Sequence, residues 1–198
     1  MWVCARRCAL SETRVEEGGH ALFDTAIGVC GIAWGAAGVV AVQLPEVDAG
    51  HTRARLLKGL SPLPEEEPPP AAVQAAIDGV QSLLNGEARD LREVVLDMGR
   101  LTPFQRNVYA IARAIPPGQT RTYGEIAREL GDVGLSRAVG RALGHNPFAP
   151  IVPCHRVLAA GNQPGGFSAG GGAVTKLRML AIEGARPSGT ASLFDEFL

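Results

Sequence analysis

The chain has 198 residues, 46% hydrophobic and 20% charged, which suits one large or two small globular domains and excludes a disordered or collagen-like chain. Its most apolar stretch, Ala26 to Leu44, is broken by Gly28, Gly31, Gly35, Gly38 and Gln43, so it falls short of the roughly 20 apolar residues of a membrane span; Arg6 and Arg7 lack the long apolar block of a secretory signal, and a cytoplasmic address is expected. The formal net charge of −1 conceals an asymmetry, with eight Lys/Arg against fourteen Asp/Glu in residues 1–98 and eleven against six in residues 99–198, or −6 against +5, a split that suggests one half meets an anionic partner.

In chain order, residues 20–44 are short apolar pieces cut by glycines at close intervals, the pattern of a strand meander with tight turns. Residues 61–70 hold five prolines and three consecutive glutamates, which predicts an extended, solvated connector. Ala71 to Leu84 has helical spacing and stops at Asn85-Gly86. A strand is expected around Val94 to Leu96, and the domain boundary near Met98 to Leu101, where the charge changes sign. The expected domains are therefore 1–98 and 99–198. Thr102-Pro103 is a cap with proline in the first turn, opening a helix to about Ala114 that Pro116-Pro117-Gly118 ends. Thr122 to Leu130 and Ser136 to Leu143 read as two short helices across the turn Gly131 to Gly134, a helix-turn-helix candidate that shares its pattern with any small αα-hairpin.

The chemistry centres on Ile151-Val-Pro-Cys-His-Arg-Val157. Four cysteines (Cys4, Cys8, Cys30, Cys154) do not make a disulfide framework in a chain of this size. A free thiol has a pKa of about 8.5, so a nucleophilic Cys154 needs a base or a positive charge nearby, and His155 and Arg156 are adjacent. In a strand such neighbours point to opposite faces, and a bend or a bridging water is needed to bring them together. Cys4, Cys8, His20 and Cys30 match no standard zinc spacing, and no metal is expected.

Asn146-Pro147 and Ile151 to Val157, taken with Tyr123-Gly-Glu-Ile-Ala127, Ser136-Arg-Ala-Val-Gly140 and Ile182-Glu183-Gly184, resemble the O6-alkylguanine-DNA alkyltransferases, also called methylated-DNA–protein-cysteine methyltransferases. The resemblance covers residues 99–185, and His20 to Pro45 is similar to the smaller N-terminal domain of bacterial members. It implies an α/β fold in two parts, a small ribonuclease-H-like domain with an antiparallel sheet and a mostly helical winged-helix-like domain. It also implies that Cys154 accepts the alkyl group once and permanently, that His155 takes the thiol proton through water, and that Glu183 orients His155. Tyr123 would donate to guanine N3, Ser168 N–H to O6, and the carbonyls of Cys154 and Val157 would read the exocyclic amine, with Phe167 and Lys176 completing the guanine site.

Because the lesion lies inside a stacked duplex, the base has to be rotated out, and the resemblance implies that Arg137 fills the gap. Ser136, Ala138 and Arg141 would share the minor groove with it, and Asn146 would brace the turn to the active-site strand. The implied partner is double-stranded DNA containing O6-alkylguanine, with O4-alkylthymine left open as a second substrate. No cofactor is implied, and the protein is expected to be a monomer whose neighbours on DNA are free to cooperate. Residues 165–172 depart from the family in their richness in glycine, which predicts a looser loop that admits bulkier alkyl groups. The tail Ser192 to Leu198, apolar and acidic, is expected to dock on its own domain. Three other readings stay open at this point: a lesion-binding alkyltransferase-like protein, which would lack the cysteine; a thiol-sensing helix-turn-helix regulator; and a Cys-His hydrolase, which would turn over.

Overall fold

In the computed structural model the described residues are 18–185, so Cys4, Cys8 and the tail Ser192 to Leu198 lie outside them. The glycine-cut apolar run folds as an antiparallel meander, β1 (Gly19–Thr25), β2 (Gly28–Gly35) and β3 (Gly38–Gln43). Gly38 starts β3 at φ 121, and a Cβ there would come within 2.6 Å of the Val95 carbonyl. Only glycine fits both demands. The segment around Val95 crosses at this point: Val39 N–H donates to Val95 O and Asp97 N–H to Val39 O. The strand expected at Val94 to Leu96 is thus a single bridge between Val39 and Leu96, because the chain touches β3 only where Gly38 lets it come close.

Alternation along the sheet gives it two apolar faces. Phe23, Ile32 and Val42 meet Val73, Ile77 and Val80 of α2 (Ala71–Leu84), whereas Ala33 and Ala41 are covered by Leu56 of α1 (Ala49–Leu56). The 61–70 connector departs from the expected free strap. Its Pro64 carbonyl and Glu66 N–H both pair with the backbone of His20, so it lies against the outer edge of β1, where proline's missing donors cost nothing on the solvent side.

The second half is helical. α3 (Pro103–Arg113) opens on a Thr102–Gln105 capping box and buries Val108, Tyr109 and Ala112. After β4 (Arg121–Thr122), α4 (Tyr123–Glu129) opens on a second box, Thr122–Glu125. A 3-10 turn at Val133–Leu135 leads into α5 (Ser136–Gly144), so α4 and α5 form the expected helix-turn-helix. β5 (Val157–Leu158) pairs in parallel with β4, and α6 (Ala173–Ile182) closes the described chain. One apolar cluster runs from β2 and α2 through α3 and α5 to Cys154, and the Tyr109 ring meets Phe148 edge-on at 6.5 Å between centroids. This α/β architecture, a small antiparallel sheet followed by a mostly helical part, is the fold the sequence led us to expect. None of the described helices is long and apolar enough to cross a membrane.

Candidate active site around Cys154

The loop after α5 is closed by one side chain. Asn146 Nδ2 donates to Val152 O at 2.7 Å while its Oδ1 accepts from Phe148 N–H at 3.0 Å. The chain then enters a 3-10 turn, Cys154–Arg156. That turn is why adjacent residues can share a site. In a strand His155 and Arg156 would diverge, but at three residues per turn both reach Glu183 at the end of α6.

His155 is fully buried, and its Nε2 lies 2.8 Å from Glu183 Oε1. A carboxylate can only accept, so Nε2 carries the hydrogen and Nδ1 holds the basic lone pair; among the described residues no protein group pairs with Nδ1. Arg156 grips the same carboxylate twice, Nε to Oε2 at 2.9 Å and Nη2 to Oε1 at 2.8 Å, and its Nη1 donates to Ile115 O at 2.6 Å. Burial on its own would raise the Glu183 pKa, but His155 and the Arg156 guanidinium override it and hold the group at about 2. Burial pushes His155 below its ordinary value of 6.5, and Glu183 reverses only part of that. With the carboxylate already neutralised by Arg156, the imidazole stays uncharged near neutrality, as a base must.

Cys154 is 7% exposed. Burial raises its pKa, while the Asn146 amide and the charge of Lys176 pull it back, so the resting group is a thiol that needs a base. Lys176 is fully buried, and burial lowers its pKa to about 8. Its ammonium donates to Val157 O at 2.6 Å and lies 5.7 Å from the centre of the Tyr123 ring. Tyr123 reaches this place because Arg121 and Thr122 pair with Val157 and Leu158, which sets the first residue of α4 beside the cysteine turn. Burial, then the neighbouring Cys154, raises the Tyr123 pKa, leaving a protonated phenol that can donate.

The structure therefore brings Cys154, His155, Glu183, Tyr123, Val157, Asn146 and Lys176 together. Lys176, expected at the guanine site, is buried and donates to the carbonyl of Val157. Phe167 is half-buried against the main core, and Ser168 is exposed, its carbonyl taken by Arg55 of α1. Arg137 and Arg141 are exposed one turn apart on α5, opposite the buried Val139, Ala142 and Leu143. Neither has an acidic partner among the described residues, and Ser136 turns its hydroxyl to Val133 O at 2.6 Å. Arg156, read only as a charge near Cys154, and Arg55 make contacts that sequence reasoning missed. The first was signalled by its place beside His155; the second lies 113 residues from Ser168 and had no signal. Of the residues weighed as zinc ligands, His20 Nδ1 meets Leu63 O at 2.9 Å, and burial raises Cys30 to about 12.

A sequence model described as the 6-O-methylguanine DNA methyltransferase DNA-binding domain matches residues 103–185. A methylated-DNA–protein-cysteine methyltransferase of Mycobacterium tuberculosis is 44% identical over 128 residues, covering 65% of this chain and 75% of that protein. The chain belongs to the methylated-DNA–protein-cysteine methyltransferase family. A second member, from Methanothermobacter thermautotrophicus, is 35% identical over 170 residues, 86% of this chain and 85% of its own. The crystal structure of Mycobacterium tuberculosis OGT in complex with DNA superposes with a TM-score of 0.67 at 35% identity, covering 89% of this chain and 99% of that one. A buried thiol followed in the chain by a neutral imidazole that an ionised glutamate holds is an arrangement able to supply a nucleophile, a base and an orienting group.

Proposed function

We propose that this methyltransferase repairs DNA by direct reversal, moving the alkyl group of O6-alkylguanine in double-stranded DNA onto its own Cys154 in one irreversible turnover. The observation that carries the reading is a buried cysteine beside an uncharged His155 whose other nitrogen is fixed by Glu183. A water molecule relays the thiol proton to Nδ1 of His155. The S–C bond forms as the C–O6 bond breaks, and the electron pair leaves with guanine, whose N3 is met by the Tyr123 hydroxyl. Ser168 N–H binds O6, and the carbonyls of Cys154 and Val157 accept from the exocyclic amine, the second steadied by Lys176.

Arg137 enters the stack where the base was, while Ser136, Ala138 and Arg141 line the groove and Asn146 keeps helix and thiol in register. Division of labour follows the boundary near residue 98: the basic half meets DNA and carries the acceptor, and the acidic half supports it. The reaction needs no cofactor, and the protein acts as a cytoplasmic monomer.

The test is stoichiometry. Mixed with a duplex carrying radiolabelled O6-methylguanine, each protein molecule should remove one methyl group and then stop. Continued turnover would point to a hydrolase, and bound DNA that keeps its label to a lesion sensor.

The pH dependence follows from the shifts. Because His155 is held below 6.5, the transfer rate should stay level from neutrality to about pH 6.5 and fall only at lower pH, as Nδ1 gains a proton. Stability should fall over the same acid range. The unfolded chain takes up protons at His155 below 6.5 and at Glu183 below 4.5, whereas in the folded chain His155 is held below its ordinary value and Glu183 resists protonation down to about 2, so acid favours unfolding. A rate that rises as pH drops through 6 would contradict both assignments.

A further inference from the structure

The glycine-rich loop at 165–172, where a Cβ on Gly165 would lie 3.4 Å from the Tyr123 ring, is held from outside its own half of the chain. Gly170 lies so near the chain leaving β3 that a Cβ there would sit 2.6 Å from the Pro45 carbonyl. Arg55, in the last turn of α1, donates Nη2 to the Ser168 carbonyl and places Nη1 2.8 Å from Glu46 Oε1. Glu46 is itself fixed: its carboxylate accepts from Gln43 Nε2 at 3.0 Å, and its N–H donates to Oγ1 of the fully buried Thr52 at 3.0 Å.

We infer that Arg55, braced by Glu46, is a positioning residue for alkyl transfer: it fixes the Ser168 carbonyl and so sets where the guanine-facing loop stands before Cys154. The inference rests on the repair reading above. A loop built on Gly165, Gly166, Gly170, Gly171 and Gly172 loses much conformational freedom on ordering. Its own ties lie at its end next to α6: Thr175 Oγ1 donates to the Gly170 carbonyl at 2.5 Å and Gly172 N–H to the Ala169 carbonyl at 3.0 Å. The brace from α1 restrains it before substrate arrives, which lowers the ordering cost of binding guanine. A forked guanidinium can hold Glu46 and Ser168 together, whereas an ammonium offers no such planar fork.

The probes are free O6-benzylguanine, which needs the loop but no duplex, and iodoacetamide, which needs only the thiol. Arg55→Ala should react with O6-benzylguanine about fivefold more slowly, the scale of a partly exposed ion pair, and with iodoacetamide at the wild-type rate. Arg55→Lys should fall between the two. Glu46→Gln should slow the benzyl reaction, and the double variant should be no slower than Arg55→Ala, because one contact is being removed twice. Gly170→Ala, which pushes the loop off Pro45, should show the same selective loss. Wild-type rates with O6-benzylguanine in Arg55→Ala, or equal slowing with both reagents, would overturn the clamp alone. Wild-type protein that accepts no alkyl group from either O6-benzylguanine or methylated DNA would overturn the repair reading and the clamp with it.

Discussion

Glu183→Gln is expected to slow alkyl transfer roughly 100-fold, within the range of a general-base contribution, and to destabilise the fold by about 3 to 5 kcal/mol, the usual cost of leaving one partner of a buried ion pair alone. Both effects come from one carboxylate. Its two oxygens serve His155 Nε2 and two nitrogens of Arg156, and its side chain is 2% exposed. Glutamine has the same shape and no charge. With its oxygen in the place of Oε1, the amide nitrogen faces Arg156 Nε, donor to donor; turned over, it faces His155 Nε2 and Arg156 Nη2, and the imidazole loses its fixed tautomer.

The two consequences can be separated. Adding Arg156→Met to Glu183→Gln removes the stranded charge, so the double variant should recover part of the stability measured by urea unfolding while transfer stays slow. A Glu183→Gln protein as stable and as fast as the parent would mean that the His155–Glu183–Arg156 cluster has no part in the chemistry.

Arg137→Ala is expected to reduce transfer from duplex DNA by roughly 100-fold, since extruding a stacked base costs a few kcal/mol and the arginine is taken to compensate for the hole. Its stability should change by less than about 0.5 kcal/mol, as for other exposed sites without partners. Arg137 stands on the exposed side of α5, whose buried side packs through Val139, Ala142 and Leu143. Transfer from free O6-benzylguanine, where nothing has to be extruded, should keep the parent rate. Equal losses on duplex and free base would move Arg137 from base extrusion to some role at the thiol, and wild-type rates on both would remove it from the mechanism.

Much of this molecule could be read from the residues, for reasons that differ from element to element. Thr102-Pro103 and Thr122 with Glu125 are local signals whose cap geometry is complete within four residues, so the starts of α3 and α4 were plain. The meander was visible because its turns need glycine. By contrast α1, Ala-Gly-His-Thr-Arg-Ala-Arg-Leu, offers only Leu56 as a large apolar residue and escaped notice; its one signal was Asp48, whose side chain accepts from His51 N–H as an N-cap. The connector at 61–70 reads as solvated because proline carries no donor, yet the Pro64 carbonyl and the Glu66 N–H were enough to dock it on His20.

The site divides in the same way. Pro153-Cys154-His155-Arg156 announced the thiol and the base, but the meeting of His155 and Arg156 on one carboxylate depends on a 3-10 turn and on a residue 27 positions away from Arg156. Long-range partners such as Arg55 and Ser168 leave no mark in local sequence. The loop at 165–172 looked slack for its glycines, and the contacts that restrain it come from Pro45 and α1.

The central claim is that the buried sulfur of residue 154 is the acceptor. Peptide mass spectrometry after reaction with duplex O6-methylguanine tests it most directly. The peptide holding Cys154 should gain one methyl in place of one hydrogen, in proportion to the methyl lost from DNA, and the peptide holding Cys30 should not change. Methyl found on Cys30 or on another residue, or DNA repaired while the Cys154 peptide keeps its original mass, would contradict the account.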